Sequence, residues 1–179
     1  MPSENSIYRK IQIVLEVAKS TEVNSIGELQ IAIRSKNLVT FHTRHFDRVK
    51  DAFVTAISDK SIHSALSFCR DLKLLKDNGT LTPEGRQAIQ RSKFDRVIAD
   101  SILSYLQDSG VDIRALNKLI LISIQSNPPV LPTCHELWVS IQEKTDFSNF
   151  AKMLNLLSQC GMAQSSQKKI YLGIKTNQK

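Results

Sequence analysis

Cysteine is scarce in this sequence, and long apolar runs are absent. The three cysteines, Cys69, Cys134 and Cys160, lie far apart and form no CxxC pair, which argues against a disulfide scaffold and for a reducing compartment. The apolar run at residues 119–122 is much too short to span a bilayer. The N-terminus carries Glu4 and lacks the apolar core of a signal peptide. We therefore expect a cytoplasmic protein with no membrane partner, nucleoid-associated if it binds DNA.

Aromatic residues are also few, at 6% of the 179 residues, and leucine, isoleucine and valine supply most of the apolar side chains. Hydrophobic residues nevertheless make up 41% of the chain, which is enough for a packed core and excludes a disordered chain. A chain of this length forms one or two domains. The composition is typical of a small helical protein.

Acidic residues are missing after Asp146, although five lysines follow it. The whole chain has a formal net charge of +7. A segment with charge of one sign attracts polyanions of any sequence, because their counterions are released on binding. The charge pattern therefore favours a nucleic-acid partner, and the alternative is an ordinary basic surface that keeps the protein soluble.

The sequence contains no P-loop, GxSxG, HExxH or dinucleotide-binding motif. His42 and His45 lie three residues apart, but no nearby cysteine or carboxylate pair completes a zinc site. Cys134 and His135 lie at a predicted helix start, where a thiolate can be stabilised, yet no catalytic partner is identifiable. We expect neither an enzyme nor a cofactor.

Residues 61–88 contain the most informative local pattern. A leucine-rich helix is followed by Asp77-Asn78-Gly79, a strong turn signal because asparagine and glycine tolerate positive φ. Thr82 and Pro83 then suit the cap and first turn of another helix. This segment resembles the end of a winged-helix domain, in which the recognition helix runs into the wing and a final helix. The resemblance implies a DNA-binding or protein-binding module.

The residues before this segment complete a predicted helix-turn-helix. Helical spacing over residues 7–19 and a cap at Ser25 predict two helices, and residues 36–41 suit a short strand or an extended connector. From residue 43 the pattern again predicts a helix, which a polar break at residues 58–60 separates from the helix at 61. The apolar residues assigned to one face of this predicted helix are Phe46, Val49, Phe53, Val54 and Ile57.

The outward side of the helix that begins at residue 61 is a candidate for contact with DNA. Its residues are short and polar, with one arginine, which suits the reading of base edges. An ordinary solvated face remains the alternative. The candidate residues are His63, Ser64, Ser67 and Arg70.

Residues 83–107 form one long predicted helix that carries more apolar surface than a solvated linker needs. The segment 108–110 ends it and marks the predicted domain boundary. Winged-helix proteins commonly dimerise through such a terminal helix, so a homodimer through Ile98 and Ile102 is one expectation. The alternative is that these residues pack against the second domain of the same chain.

The second half follows winged-helix order over residues 111–175. An apolar helix begins at residue 111, a capping box at Thr133 and Glu136 begins a second, and Asp146 caps a third. Residues 162–174 then suit a hairpin, since apolar and polar residues alternate in its last strand. The predicted fold is mostly α with small β-hairpins. It comprises an N-terminal winged-helix-like domain at residues 1–108 and a C-terminal winged-helix domain with a basic tail at 111–179, joined by the long helix.

The third helix of the second domain has the stronger candidate face for DNA. Asparagine and glutamine can bind adenine edges through two hydrogen bonds, and lysine can reach guanine or phosphate. We therefore expect double-stranded DNA as the partner and a transcriptional or replication-type regulator as the role. The alternative is a scaffold subunit whose winged helices bind protein partners. The candidate residues are Ser148, Asn149, Lys152, Asn155 and Gln159, with Lys168 and Lys169 in the wing.

Overall fold

A computed structural model describes residues 6–127, 132–160, 163–166 and 169–172. Within these ranges the chain is mostly α-helical with two short antiparallel hairpins, which confirms the coarse fold class. It divides into two compact units, Met1–Lys93 (unit 1) and Phe94–Lys179 (unit 2). Among the described helices, none combines the length and apolar character needed to cross a bilayer. The elements are α1 (Ile7–Ser20), α2 (Ile26–Ser35), β1 (His42–Asp47), β2 (Ala52–Ile57), α3 (Asp59–Asp71), α4 (Pro83–Ala88), α5 (Phe94–Asp108), α6 (Ile113–Gln125), α7 (Cys134–Ser140), α8 (Phe147–Gln159), β3 (Ala163–Ser166) and β4 (Lys169–Leu172).

The core of unit 1 forms where α1, α2 and α3 pack against one another. Ser25 caps α2 as its sequence predicts, because its side chain accepts a hydrogen bond from the Glu28 N–H at 3.2 Å. Lys10 of α1 donates from Nζ to Ser61 Oγ of α3 at 2.8 Å. Apolar side chains from the three helices fill the interior, and the largest fully buried ones are Ile11, Leu15, Leu29, Ile33, Ile62 and Leu66.

The helix predicted from residue 43 is wrong, and an antiparallel hairpin, β1–β2, lies there. Its register pairs Phe46 with Phe53 and His42 with Ile57. Asp47 fixes the reversal, because its Oδ1 accepts hydrogen bonds from the N–H groups of Val49 and Lys50. β-branched and aromatic residues, which favour strands, make up four of the six residues of β2. The predicted helix-turn-helix therefore does not form, and a 3₁₀ turn at Val39–Phe41 precedes the hairpin.

The turn after α3 is confirmed. The Gly79 N–H donates to the Lys76 carbonyl at 2.9 Å, and Gly79 has φ +83°. Of the predicted Asn-Gly pair, only the glycine adopts positive φ. A β-bridge joins Leu75 to Leu81 across the turn, and α4 begins at its predicted cap, Thr82. Unit 1 therefore has a short reversal between α3 and α4.

The single helix predicted for residues 83–107 is also wrong, because α4 ends at Ala88 and α5 begins at Phe94. Four consecutive polar residues, 90–93, offer no side chain that could anchor a helical turn in a core. Tight turns occupy this stretch instead, with Lys93 N–H donating to the Gln90 carbonyl at 2.7 Å. The division between the units falls between Lys93 and Phe94 and not at residues 108–110, because α5 belongs to unit 2.

In its described residues, unit 2 contains four helices followed by a hairpin. The capping box of Thr133 and Glu136 is present at α7, and Asp146 caps α8. Ile98 and Ile102 of α5 are fully buried, and α5 packs against α8 within the unit. The predicted hairpin is present, but Ser165 and Ser166, which the sequence predicts to lie in its turn, belong to β3, and Ser166 pairs with Lys169.

Candidate nucleic-acid interface

The outward side of α8 in unit 2 carries five of the residues predicted to contact DNA. The Asp146 Oδ2 atom accepts a hydrogen bond from the Asn149 N–H at 3.0 Å and so fixes the helix start. Phe150 and Leu154, on the inner side of the helix, are completely buried. Because residues three or four apart share one face of a helix, the polar side chains line the opposite side. We define the α8 face as Ser148, Lys152, Asn155 and Gln159, with Asn149 at its edge.

The residues of the α8 face differ in how freely they can reach a ligand. Ser148 and Asn155 are exposed, whereas Asn149, Lys152 and Gln159 are half-buried. Lys152 Nζ donates to Asn149 Oδ1 at 3.5 Å, and Gln159 Nε2 donates to Asn155 Oδ1 at 3.3 Å. Ser148 and Asn155 are therefore the side chains best placed to touch a ligand, with Lys152 beside them. The side-chain amide of Gln159 is hydrogen-bonded to Asn155.

The charge of the α8 face is positive. The sequence of α8 contains no carboxylate, and Asp146 just before it is the last acidic residue of the chain. The charge on Lys152 is therefore not offset by another residue of the same helix. Of the two lysines assigned to the wing, Lys168 lies outside the described residues, and Lys169 begins β4 with only its backbone described.

The second predicted face, on α3 in unit 1, is weaker. His63 and Arg70 are exposed and share a side of the helix with Ser67, whereas Ser64 lies beside them. Arg70 Nη2 is 2.7 Å from Asp77 Oδ1, so this guanidinium is held against the turn that follows α3. An arginine already paired with a carboxylate is less available to a base or phosphate. The structure therefore brings the α3 residues together but leaves His63 as their freest member.

The β1–β2 hairpin is a feature that the sequence pattern did not reveal. The rings of Phe46 and Phe53 form an edge-to-face pair with centroids 5.4 Å apart, and Arg44 lies 4.6 Å from the Phe53 ring centre. Both rings are largely exposed. Asp47 is a residue type that is common in turns, and a basic loop follows it. β-branched residues lie in the segments on either side. This combination is the signal that could have identified the hairpin.

An aromatic cluster lies where α7 meets α8. The rings of His135, Trp138 and Phe147 lie 5.4 to 5.8 Å apart between centroids. Trp138 Nε1 donates to the Thr145 carbonyl at 2.7 Å, which fixes the indole. Phe147 remains 41% exposed at the start of α8. This cluster places apolar surface beside the first turn of the candidate recognition helix.

The residues first considered for metal binding or catalysis do not form such a site. His42 and His45 are three residues apart on β1, so they point to opposite faces of the strand. Partial burial raises the pKa of the Cys134 thiol, which favours the unreactive protonated form. In the part of the chain that the structure describes, no group of three or more His, Cys, Asp or Glu side chains could hold a metal ion.

Comparison with protein-family models, with curated proteins and with solved structures finds no match to this chain.

Proposed function

We propose that the protein binds double-stranded DNA, with unit 2 acting as a winged-helix domain and α8 as its recognition helix. The observation that carries this proposal is the α8 face, which is polar, basic and free of carboxylates on a helix whose other side is fully buried. The order of α7, α8 and the β3–β4 hairpin is that of a helix-turn-helix followed by a wing.

The chemistry of the α8 face suits base edges in the major groove. An asparagine can donate to and accept from adenine through two hydrogen bonds, so Asn155 is the candidate for base recognition. Ser148 can donate or accept, and Lys152 can reach guanine or a phosphate. In the sequence Lys168 and Lys169 follow β3, and in a winged helix the wing contacts the DNA backbone.

In unit 1, α3 with the turn at residues 76–79 is the corresponding candidate, although the β1–β2 hairpin replaces the first helix of the predicted helix-turn-helix. We assign α3 the lesser role, because Arg70 is paired with Asp77. A transcriptional or replication-type regulator is the role that fits such a protein.

The proposal is tested by fluorescence anisotropy on a labelled duplex over a range of salt concentrations. We expect binding that weakens steeply with salt. Lys168→Glu/Lys169→Glu should weaken binding to every sequence, whereas Asn155→Ala should mainly relax sequence preference, by about 1–3 kcal/mol at one base pair. Arg114→Glu/Lys118→Glu on α6 makes the same change in charge and serves as the control. Absence of duplex binding at low salt would refute the proposal.

A protein-binding scaffold is the second candidate, and exposed apolar residues of unit 2 favour it. Leu121 and Ile122 of α6 are 46% and 58% exposed, and Val139 of α7 is 49% exposed. Exposed apolar side chains that form a contiguous patch mark interaction surfaces. A stable complex with a protein partner that forms without DNA and is lost in Leu121→Asp/Ile122→Asp would favour this role.

A further inference from the structure

Most strand residues of the β1–β2 hairpin in unit 1 are exposed, and the others are half-buried. None of the twelve residues in the two strands is buried. At its base the Ser58 N–H donates to the Phe41 carbonyl at 3.0 Å, which joins the hairpin to the start of α3. An isolated two-stranded hairpin is marginally stable in water, because it buries little apolar surface. The exposed side chains of the hairpin do not pack into the core of unit 1, so they are available to a ligand.

One face of the hairpin combines aromatic rings with a cation. The register pairs Arg44 with Thr55 and Phe46 with Phe53, so Arg44 and both rings lie on the same face. Phe46 is 48% exposed and Phe53 is 62% exposed. We call Arg44, Phe46 and Phe53 the aromatic face.

The loop at the end of the hairpin adds further positive charge. Arg48 and Lys50 are exposed, and neither they nor Arg44 form an ion pair with any residue that the structure describes. The Asp47 carboxylate is used by the turn, because it accepts hydrogen bonds from two loop N–H groups. Asp51 is the only other carboxylate of the hairpin. The hairpin therefore carries three cations with no ion-pair partner among the described residues, and one of them, Arg44, lies over the Phe53 ring.

We propose that the aromatic face binds unpaired bases of DNA next to the duplex, an inference that rests on the proposed DNA-binding function. Every base has a flat π surface that stacks on an aromatic side chain, and the strand phosphates attract nearby lysines and arginines. Bases inside a duplex already stack on one another, so the rings find free partners only where the strands are unpaired. The protein accordingly prefers a junction between double-stranded and single-stranded DNA to a blunt duplex.

The test compares the full-length protein on two labelled DNAs, a blunt duplex and the same duplex with a single-stranded extension, by fluorescence anisotropy. The wild type should bind the extended DNA more tightly. Phe46→Ala/Phe53→Ala should weaken that binding on the order of tenfold and leave the affinity for the blunt duplex unchanged. Arg48→Gln/Lys50→Gln should reduce the salt dependence measured on the extended DNA.

Ile31→Ala is the matched control, because Ile31 is an apolar residue of unit 1 that is 68% exposed outside the hairpin. Far-ultraviolet circular dichroism checks that the variants fold. Equal affinity of the wild type for both DNAs, or a phenylalanine variant that retains the preference for the extended DNA, would overturn the proposal. The α8 variants report separately on blunt-duplex binding, so failure of the duplex-binding proposal is distinguishable from failure of this one.

Discussion

Gly85 in α4 lies against the backbone of Leu74, and a Cβ at this position would run into the Leu74 carbonyl oxygen. The same glycine donates its N–H to the cap residue, Thr82, at 3.0 Å. Backbone atoms cannot move aside as the end of a flexible side chain can. The absence of a side chain at residue 85 therefore allows α4 to pack directly on the segment that follows α3.

We predict that Gly85→Ala destabilises unit 1 by about 3 kcal/mol, because the overlap forces the backbone to shift. Gly27→Ala is the matched control, since Gly27 is also helical and its nearest neighbour would be Ser25 Oγ at 3.9 Å. The free energy of unfolding of the control should rise by about 0.5–1 kcal/mol, because alanine is a better helix former than glycine. Thermal unfolding followed by circular dichroism measures both. An unaltered melting temperature for Gly85→Ala would contradict the prediction.

The Cys160 thiol, just after α8, should make the stability of unit 2 depend on alkaline pH. Burial, together with the charge of Asp95, raises the pKa of Cys160 from 9.0 to about 12. Between these two values the folded protein holds a proton that the unfolded chain releases. The contribution of the protonated thiol to the stability of unit 2 is therefore fully present below pH 9 and is lost as the pH rises towards 12.

We predict that Cys160→Ala loses less stability than the wild type when the pH rises from about 8 to about 11. The difference should be at most about 1.4 kcal/mol per pH unit, which is the value for one proton. Urea unfolding monitored by the fluorescence of Trp138, the only tryptophan of the chain, reports on unit 2. Parallel curves of stability against pH for the two proteins would show that Cys160 does not contribute.

At the level of elements, α5 is the helix for which the structure differs most from the sequence prediction. Ile98, Ile102 and Leu106 are each 0% exposed, and the helix packs against α8 and α6 of its own unit. Side chains buried in a core cannot also form an interface with a second copy. The expected dimer contact through Ile98 and Ile102 is therefore wrong, and the alternative of packing within the chain is correct. A homodimer through another surface stays a prediction.

We predict that Ile102→Ala lowers the free energy of unfolding of unit 2 by about 2–5 kcal/mol, the usual cost of such a cavity. Ile122→Ala on α6, where the side chain is 58% exposed, should change it by less than about 0.5 kcal/mol. Trp138 fluorescence during urea unfolding compares the two variants. An unchanged free energy of unfolding for Ile102→Ala would contradict the prediction.

At the level of the whole molecule, each unit has its own core and its own candidate surface. Unit 1 presents the hairpin with Arg44, Phe46 and Phe53, and unit 2 presents the α8 face. The net charge of +7 draws any polyanion towards both. The proposed division of roles, with duplex bound by unit 2 and unpaired bases by unit 1, follows from the chemistry of these two surfaces.

The sequence by itself determined the features that depend on residues a few positions apart. The caps at Ser25, Thr82, Thr133 and Asp146 and the turn ending at Gly79 all lie where the sequence predicts them. The hydrogen bond that defines each cap or turn spans three residues, so spacing alone reveals it. The α8 face was predictable for the same reason, because one cap and one helical period define it.

Only the tertiary structure decided the β1–β2 hairpin, the break before α5 and the unit to which α5 belongs. Periodicity predicts an element by showing which side is buried, and the hairpin buries none of its strand residues, so the apolar pattern at Phe46, Val49 and Phe53 was misleading. The apolar side of α5 fits any complementary surface, and its sequence does not specify which one. Packing against α8 made that choice, because it removes Ile98 and Ile102 from water within unit 2.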